Sequence, residues 1–303
     1  MSLERLFADG VLIDLDIRRW SGQKKLVPVD LDLKEEEVPD IFSLGRKYLV
    51  PKSVINYFAA LEQRARRLLD QNSFAFPIGS TRYVPKNNVL ELLQALDQMK
   101  EEFYREVDAF INDYDVLREK MKKDYPKYTN SLLPYYPSPA EVRSKFSFNY
   151  VIYNISAPAE LAEVSKEELL AQRQAFERYK QELDRQVDDF LREVVVQLRA
   201  EAAELCAKMA DKISKGEVIS AKTLKSFYDL TEKYKQMNFV GDTKVEKMLS
   251  EFQKKYLTSY SKEASEDYLE QFKGALQNIV KAASNTSDIN RVTGGYKRRI
   301  KVA

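Results

Sequence analysis

NNVLELLQALDQMKEEFYREVDAFINDYDVLREKM, residues 87–121, is the stretch that decides the fold. Leu92, Leu96, Met99, Phe103, Val107, Phe110, Tyr114, Leu117 and Met121 recur in steps of three and four. The steps average about 3.6, the period of a nearly straight α-helix rather than of a strict heptad supercoil. Asn87 and Asn88 suit an N-cap, and Pro126 closes the other end. A helix over 88–124 is roughly 50 Å long at 1.5 Å per residue.

A second stripe follows. Ser165 to Glu168 reads as a capping box. Leu169, Phe176, Tyr179, Leu183, Val187, Phe190, Val194, Leu198, Leu205, Met209 and Ile213 then run on to Gly216, a natural stop. That helix approaches roughly 70 Å. So long an apolar stripe needs a neighbour. The expectation is an antiparallel hairpin of the two helices across the Pro- and Tyr-rich connector 126–139.

Around this hairpin the periods change. In VLIDLDIRRW, residues 11–20, Val11, Ile13, Leu15 and Ile17 alternate with Asp14, Asp16 and Arg18, a strand with one wet face. Ser21-Gly22 is a turn, and 24–29 is expected to return as a second strand, with Trp20 anchoring the hairpin. Pro51 precedes a helical run of Val54, Ile55, Phe58, Leu61, Ala65, Leu68 and Leu69, and 74–84 is a loop or short strand. Ser138 and Glu141 form another capping box before a short helix. Residues 146–155 alternate with apolar side chains on both faces, so a central, doubly covered strand is expected. Ser220, Asp242 and Ser261 open three shorter helices, and beyond Ser284 the pattern dissolves. The fold class is therefore mainly α: a long antiparallel helical hairpin, or coiled-coil-like stalk, with a small antiparallel β-sheet and a C-terminal helical bundle. The expected divisions are 1–86, 87–215 with the inserted strand 146–155, 216–283, and a basic tail 284–303.

Composition agrees. Of 303 residues 32% are charged, with 9 Gly and 10 Pro, favouring long solvated helices. Net charge is +2, yet the tail holds Arg291, Lys297, Arg298, Arg299 and Lys301 against the single acid Asp288. The chain has no histidine, which removes the commonest general base and zinc ligand. With one cysteine, Cys206, no intrachain disulfide forms, and a reducing, cytoplasmic setting is expected. The opening MSLERLFADG is unlike a signal peptide, and no apolar run reaches the roughly 20 residues of a membrane helix.

Few residues suggest chemistry. Asp14 and Asp16 share a strand face that could hold Mg²⁺, but a solvated face beside Arg18 is the preferred reading. Phe146, Phe148 and Tyr150 could stack on bases; core packing is preferred. Cys206, among Ala202, Leu205 and Met209, reads as an inert buried thiol. Gly294-Gly295 is too little for a phosphate loop. Catalytic, cofactor and metal residues are expected to be absent. Arg291, Lys297, Arg298, Arg299 and Lys301 are the candidate contacts to nucleic acid or an acidic partner.

LIDLDIRRWSGQKKL, LGRKYLVP, FxFPIGSTRYVP, FxxxVDAFINDY and KFSFNYVIYNI occur in this order. Over roughly residues 10–240 the chain resembles a bacterial and phage family of unknown function. Its genes often neighbour MoxR-type AAA+ ATPases and von Willebrand factor A-domain proteins. The resemblance implies a client or adaptor role and an AAA+ ATPase partner, and it carries no catalytic residue. The expected function is a non-catalytic, self-assembling scaffold or adaptor. The alternatives are nucleic-acid binding through the basic tail and, third, a pore-forming-like helical protein using residues 131–158, although membrane contact is not expected.

Overall fold

The computed structural model describes residues 6–39, 41–155, 166–258, 260–261 and 264–299. The fold is mainly α with a small antiparallel sheet, as expected. It divides into two compact units.

The second unit, 13–71 with 91–151, contains most of β1 (Gly10–Arg18), β2 (Gln23–Lys25), β3 (Arg46–Tyr48), α1 (Lys52–Gln71), and most of α2 (Lys86–Asp124), α3 (Pro139–Arg143) and β6 (Ser147–Tyr153). The stripe that decides the fold does bury: Leu92, Leu96, Phe103, Val107, Phe110, Tyr114 and Met121 are all inside. They meet Phe58 of α1 and the aromatics of the β6 segment, with Phe58–Phe146 centroids 4.8 Å apart and Phe103–Phe148 5.7 Å. Phe146 and Phe148 are core, as preferred from sequence. Trp20 packs on Phe110 and Tyr114 of α2.

Two strand expectations are corrected. Segment 24–29 does not return along β1; β2 pairs instead with β3, Gln23↔Tyr48 and Lys25↔Arg46, in a separate two-stranded ribbon. Gly22, at φ +57°, turns the chain away, and a Cβ there would lie 2.8 Å from Ile55 Cδ1. Strand β6 is not central. The strand order is β4-β5-β1-β6, which leaves β6 at an edge with Val151 and Ile152 exposed. Apolar side chains on both faces misled because only Phe148 of this strand is buried.

The first unit, 1–12, 72–90 and 152–303, holds β4 (Phe74–Ala75), β5 (Arg82–Pro85), α4 (Lys166–Ser214), α5 (Ala221–Met237), α6 (Thr243–Phe252), α7 (Glu266–Ala283) and α8 (Ile289–Arg299). A Cβ at Gly10 would meet Val84 O at 2.5 Å, so glycine permits the close approach of β1 to β5. The partner of α4 differs from the expected hairpin. Among the described residues it packs chiefly on α7, flanked by α5 and α8. Its buried stripe is two residues wide, with Phe190 beside Leu191 and Val194 beside Val195, the pattern of a bundle centre rather than a hairpin seam. The facing row is Phe272, Leu276, Ile279 and Ala283 of α7. The capping box at Ser165 and the side chains of Leu169, Phe176, Tyr179 and Leu183 lie outside the described residues.

Several ends shift. α2 begins at Lys86, and Asn88 is buried with its Nδ2 donating to Met237 Sδ at 2.9 Å. Ser265, not Ser261, caps α7. Ser138 does cap α3, in a reciprocal capping box with Glu141. Asp242 precedes α6, but its carboxylate accepts from Arg199 Nε at 2.6 Å and Nη2 at 3.1 Å and from Tyr234 Oη at 2.9 Å. Arg199 Nη1 also donates to Asn285 O at 2.7 Å and Asp288 Oδ1 at 2.6 Å. One guanidinium thus ties α4 to the starts of α6 and α8. The expected tail from 284 is instead helix α8, seated through Ile289, Thr293 and Tyr296, whose Oη donates to Asp9 Oδ2 at 2.7 Å. Gly294-Gly295 lies within that helix and hid it, because glycine is a poor helix former.

Candidate functional site

A cleft of about 640 Å³ lies in the second unit. Four segments build it: 26–31, the β3–α1 junction, the end of α2, and the connector after it. Leu26, Leu31, Val50, Met121 and Leu132 supply an apolar lining. Lys52, Lys120 and Asp124 stand around it, exposed. A volume of this order is typical of ligand and peptide-side-chain pockets.

An ion pair lies inside the cleft. Lys47 Nζ donates to Asp30 Oδ1 at 2.6 Å, Asp30 Oδ2 at 2.8 Å and Ser131 O at 3.1 Å. The ammonium also lies 4.0 Å from the Tyr135 ring centroid. The Val27 amide donates to Asp30 Oδ2 at 2.9 Å, fixing the 3₁₀ turn Pro28–Leu31. Burial pushes the Asp30 carboxyl up, but the hydrogen bonds from Lys47 and Val27 and the Lys47 charge outweigh it, holding it below the usual carboxylate range. With three acceptors around three donors, Lys47 is saturated. The pair welds loop 26–31, β3 and the connector 126–135 together, and the cleft offers a neutralised polar pair within apolar walls.

Around the cleft the surface of this unit is unusually apolar. Leu31, Tyr125 and Tyr128, which line it, are exposed, as are Val29, Leu33, Leu133 and Tyr135 on the same two segments. Ile41 and Phe42, in the loop before β3, are 87% and 65% exposed.

The residues singled out from sequence stand elsewhere. Arg291 is exposed on α8, 3.7 Å from Asp288 Oδ2. Lys297, Arg298 and Arg299 fall in the last turn of α8 with side chains outside the described residues, and Lys301 lies outside them altogether. Asp16 pairs with Arg18 at 3.0 Å on the open strand face. Cys206 is fully buried, and desolvation pushes its thiol up to about 12. Among the described residues no group of three or more Cys, Asp or Glu converges on a metal-sized position. No helix among them is long and apolar enough to cross a membrane.

A family model described as "Protein of unknown function (DUF3150)" matches residues 8–267. The chain belongs to the DUF3150 family. No match was found among curated proteins or among solved structures. The DUF3150 match takes in every residue of the cleft and the ribbon β2–β3. It stops short of α8, so the five basic candidates, Arg291 to Lys301, lie beyond it. The Lys47–Asp30 pair went unnoticed in the sequence, where Lys47 follows Arg46 and reads as one of two ordinary surface cations.

Proposed function

We propose that this DUF3150 protein is a non-catalytic helical adaptor, working in the cytoplasm, which holds a protein partner on the apolar, tyrosine-rich surface of its second unit. The observation that carries the reading is the concentration of exposed large apolar side chains on 29–33 and 125–135, two segments that build a formed cleft, together with exposed Ile41 and Phe42 in the loop before β3 of the same unit. Monomeric proteins seldom expose such patches, and aromatic anchors beside a pocket are the usual seat of binding energy. The two buried charged groups of the cleft, Lys47 and Asp30, are paired to one another rather than poised for chemistry, which supports binding over turnover. The partner that the family resemblance implies is a MoxR-type AAA+ ATPase of a phage or mobile element, and self-assembly through the same surface is the companion reading.

The test is size-exclusion chromatography with light scattering of the full chain, alone and mixed with a MoxR-type ATPase. A complex or oligomer that dissolves in the double variant Phe42→Glu, Leu133→Glu supports the proposal. A strict monomer that fails to co-elute, or a complex indifferent to both changes, refutes it.

A further inference from the structure

The segments WSGQKKL (20–26) and LGRKYLVP (44–51) are neighbours in space. They form the ribbon β2–β3, extended at its ends by Leu26 N–H donating to Gly45 O at 3.0 Å and Leu49 N–H donating to Gly22 O at 2.8 Å. The register places like charges directly opposite each other: Lys25 faces Arg46, and Lys24 faces Lys47. Side chains opposite in an antiparallel pair share a face, about 5 Å apart, and like charges there are destabilising. Lys47 is neutralised by Asp30. Lys24, Lys25 and Arg46 are exposed, and no carboxylate among the described residues pairs with them. Arg46 Nη1 donates to the Gln23 amide oxygen at 3.4 Å.

These residues border a second concavity, of about 350 Å³, lined by Gln23, Lys24, Lys25, Ser43, Gly45 and Arg46. Its lining is polar, unlike the cleft around Lys47. Gly45 sits at φ +85°, and a Cβ there would meet nothing within 4 Å, so the backbone leaves the mouth of the cradle open. Cations held together by backbone pairing, facing an open polar hollow and lacking a carboxylate, lower their mutual repulsion by sharing an anion.

We infer that the β2–β3 ribbon is an anion-binding site for a phosphoryl group, held by Lys25 and Arg46, which share one face of the ribbon. Arg46 presents planar, forked donors that suit phosphate oxygens, and lysine adds a point charge. At about 350 Å³ the hollow lies at the small end of ligand pockets and has room for a phosphoryl group. The phosphoryl group could belong to a free polyphosphate or to a nucleic-acid backbone, which share this chemistry. The site is independent of the apolar cleft, so it stands whether or not the adaptor reading does.

Isothermal titration of the full chain with inorganic pyrophosphate, and separately with a single-stranded oligonucleotide, tests it at low and moderate salt. Binding of either probe that weakens with salt and falls at least tenfold in Lys25→Gln, Arg46→Gln supports the site and tells the two sources apart. That variant removes a like-charge pair, so its melting temperature should equal or exceed that of the parent, and a binding loss cannot be laid to misfolding. The pair Lys25→Arg, Arg46→Lys should retain binding. Absence of salt-sensitive binding of both probes overturns the inference. So does binding that survives Lys25→Gln, Arg46→Gln undiminished, which would place the anion on the basic residues 291–301.

Discussion

Replacing Arg199 by methionine should loosen the C-terminal helices far more than its single position suggests. The Arg199 and Asp242 side chains are 2% and 1% exposed, so solvent screens their pairing little. Methionine preserves most of the aliphatic volume, which keeps the cavity contribution small. What remains is an Asp242 carboxylate stripped of two guanidinium hydrogen bonds, an Asp288 stripped of one, and an Asn285 carbonyl without its donor. Tyr234 still donates to Asp242, which softens the loss. Breaking a buried pair from one side costs about 3–5 kcal/mol. With two units in the chain, a single global unfolding energy is not well defined. Amide hydrogen exchange read segment by segment is the suitable assay. Since about 1.4 kcal/mol is a factor of ten, protection across 242–296 should fall by roughly two to three and a half orders of magnitude. Trp20 fluorescence, which reports the second unit, should keep its urea midpoint if that unit unfolds separately. Restoring neutrality with Arg199→Met, Asp242→Asn, Asp288→Asn should recover most of the protection. A loss under tenfold in the single variant would refute the view that this guanidinium organises the helices around it.

Other consequences are simpler to read. The Asp288 carboxyl is held low chiefly by the Arg199 hydrogen bond, and Asp30 is held low once Lys47 and Val27 outweigh its burial. Groups with depressed folded values stabilise fully above their unfolded value, about 3.9, and that stability drains as pH falls through the folded value. Urea midpoints should therefore hold from pH 7 to about pH 5 as far as these carboxyls are concerned, then fall toward pH 2; a rise on acidification would contradict both pairings. With its thiol pushed up to about 12 by desolvation, Cys206 should resist a disulfide reagent at pH 8 in the native protein and react fully in urea. Rapid native labelling would mean that α4 is not packed as described. Gly22→Ala should destabilise the second unit by about 1–3 kcal/mol, seen as a lowered Trp20 unfolding midpoint, since it combines positive φ with a 2.8 Å approach to Ile55. A neutral result would show that the turn relaxes.

Helices were legible because their signal is local. The α2 stripe from Leu92 to Met121 follows from spacing alone, and seven of its nine positions, all but Met99 and Leu117, are buried. Partners were not legible, because a stripe states how much surface must be covered and not by what. Val194 beside Val195 marked α4 as the middle of a bundle, yet a reading that counts only one residue per turn sees a hairpin seam. Strand pairing failed for the same reason. Segment 24–26 has the β-period that a hairpin return would need, but Gly22 redirects it to 46–48, more than twenty residues on.

The polar residues show where sequence reading loses most. Arg199, Asp242, Lys47 and Asp30 look like ordinary surface charges in the chain, and all four are buried. A buried charge is tolerated only with its partner and hydrogen bonds in place, so each such pair fixes segments that apolar packing alone would let slide. Lys47–Asp30 holds the loop 26–31 and the connector 126–135 against β3 and shapes the apolar cleft, while Lys25 and Arg46 on the same ribbon have no carboxylate partner among the described residues. Neutralisation makes one strand position structural, whereas its neighbours are the ones inferred to meet an anion. If Lys47→Met, Asp30→Leu, a volume-matched apolar pair, keeps the ribbon folded, phosphoryl binding at Lys25 and Arg46 should persist. If that binding vanishes while the ribbon stays folded, the charge at Lys47 contributes to the anion directly and this division of roles is wrong.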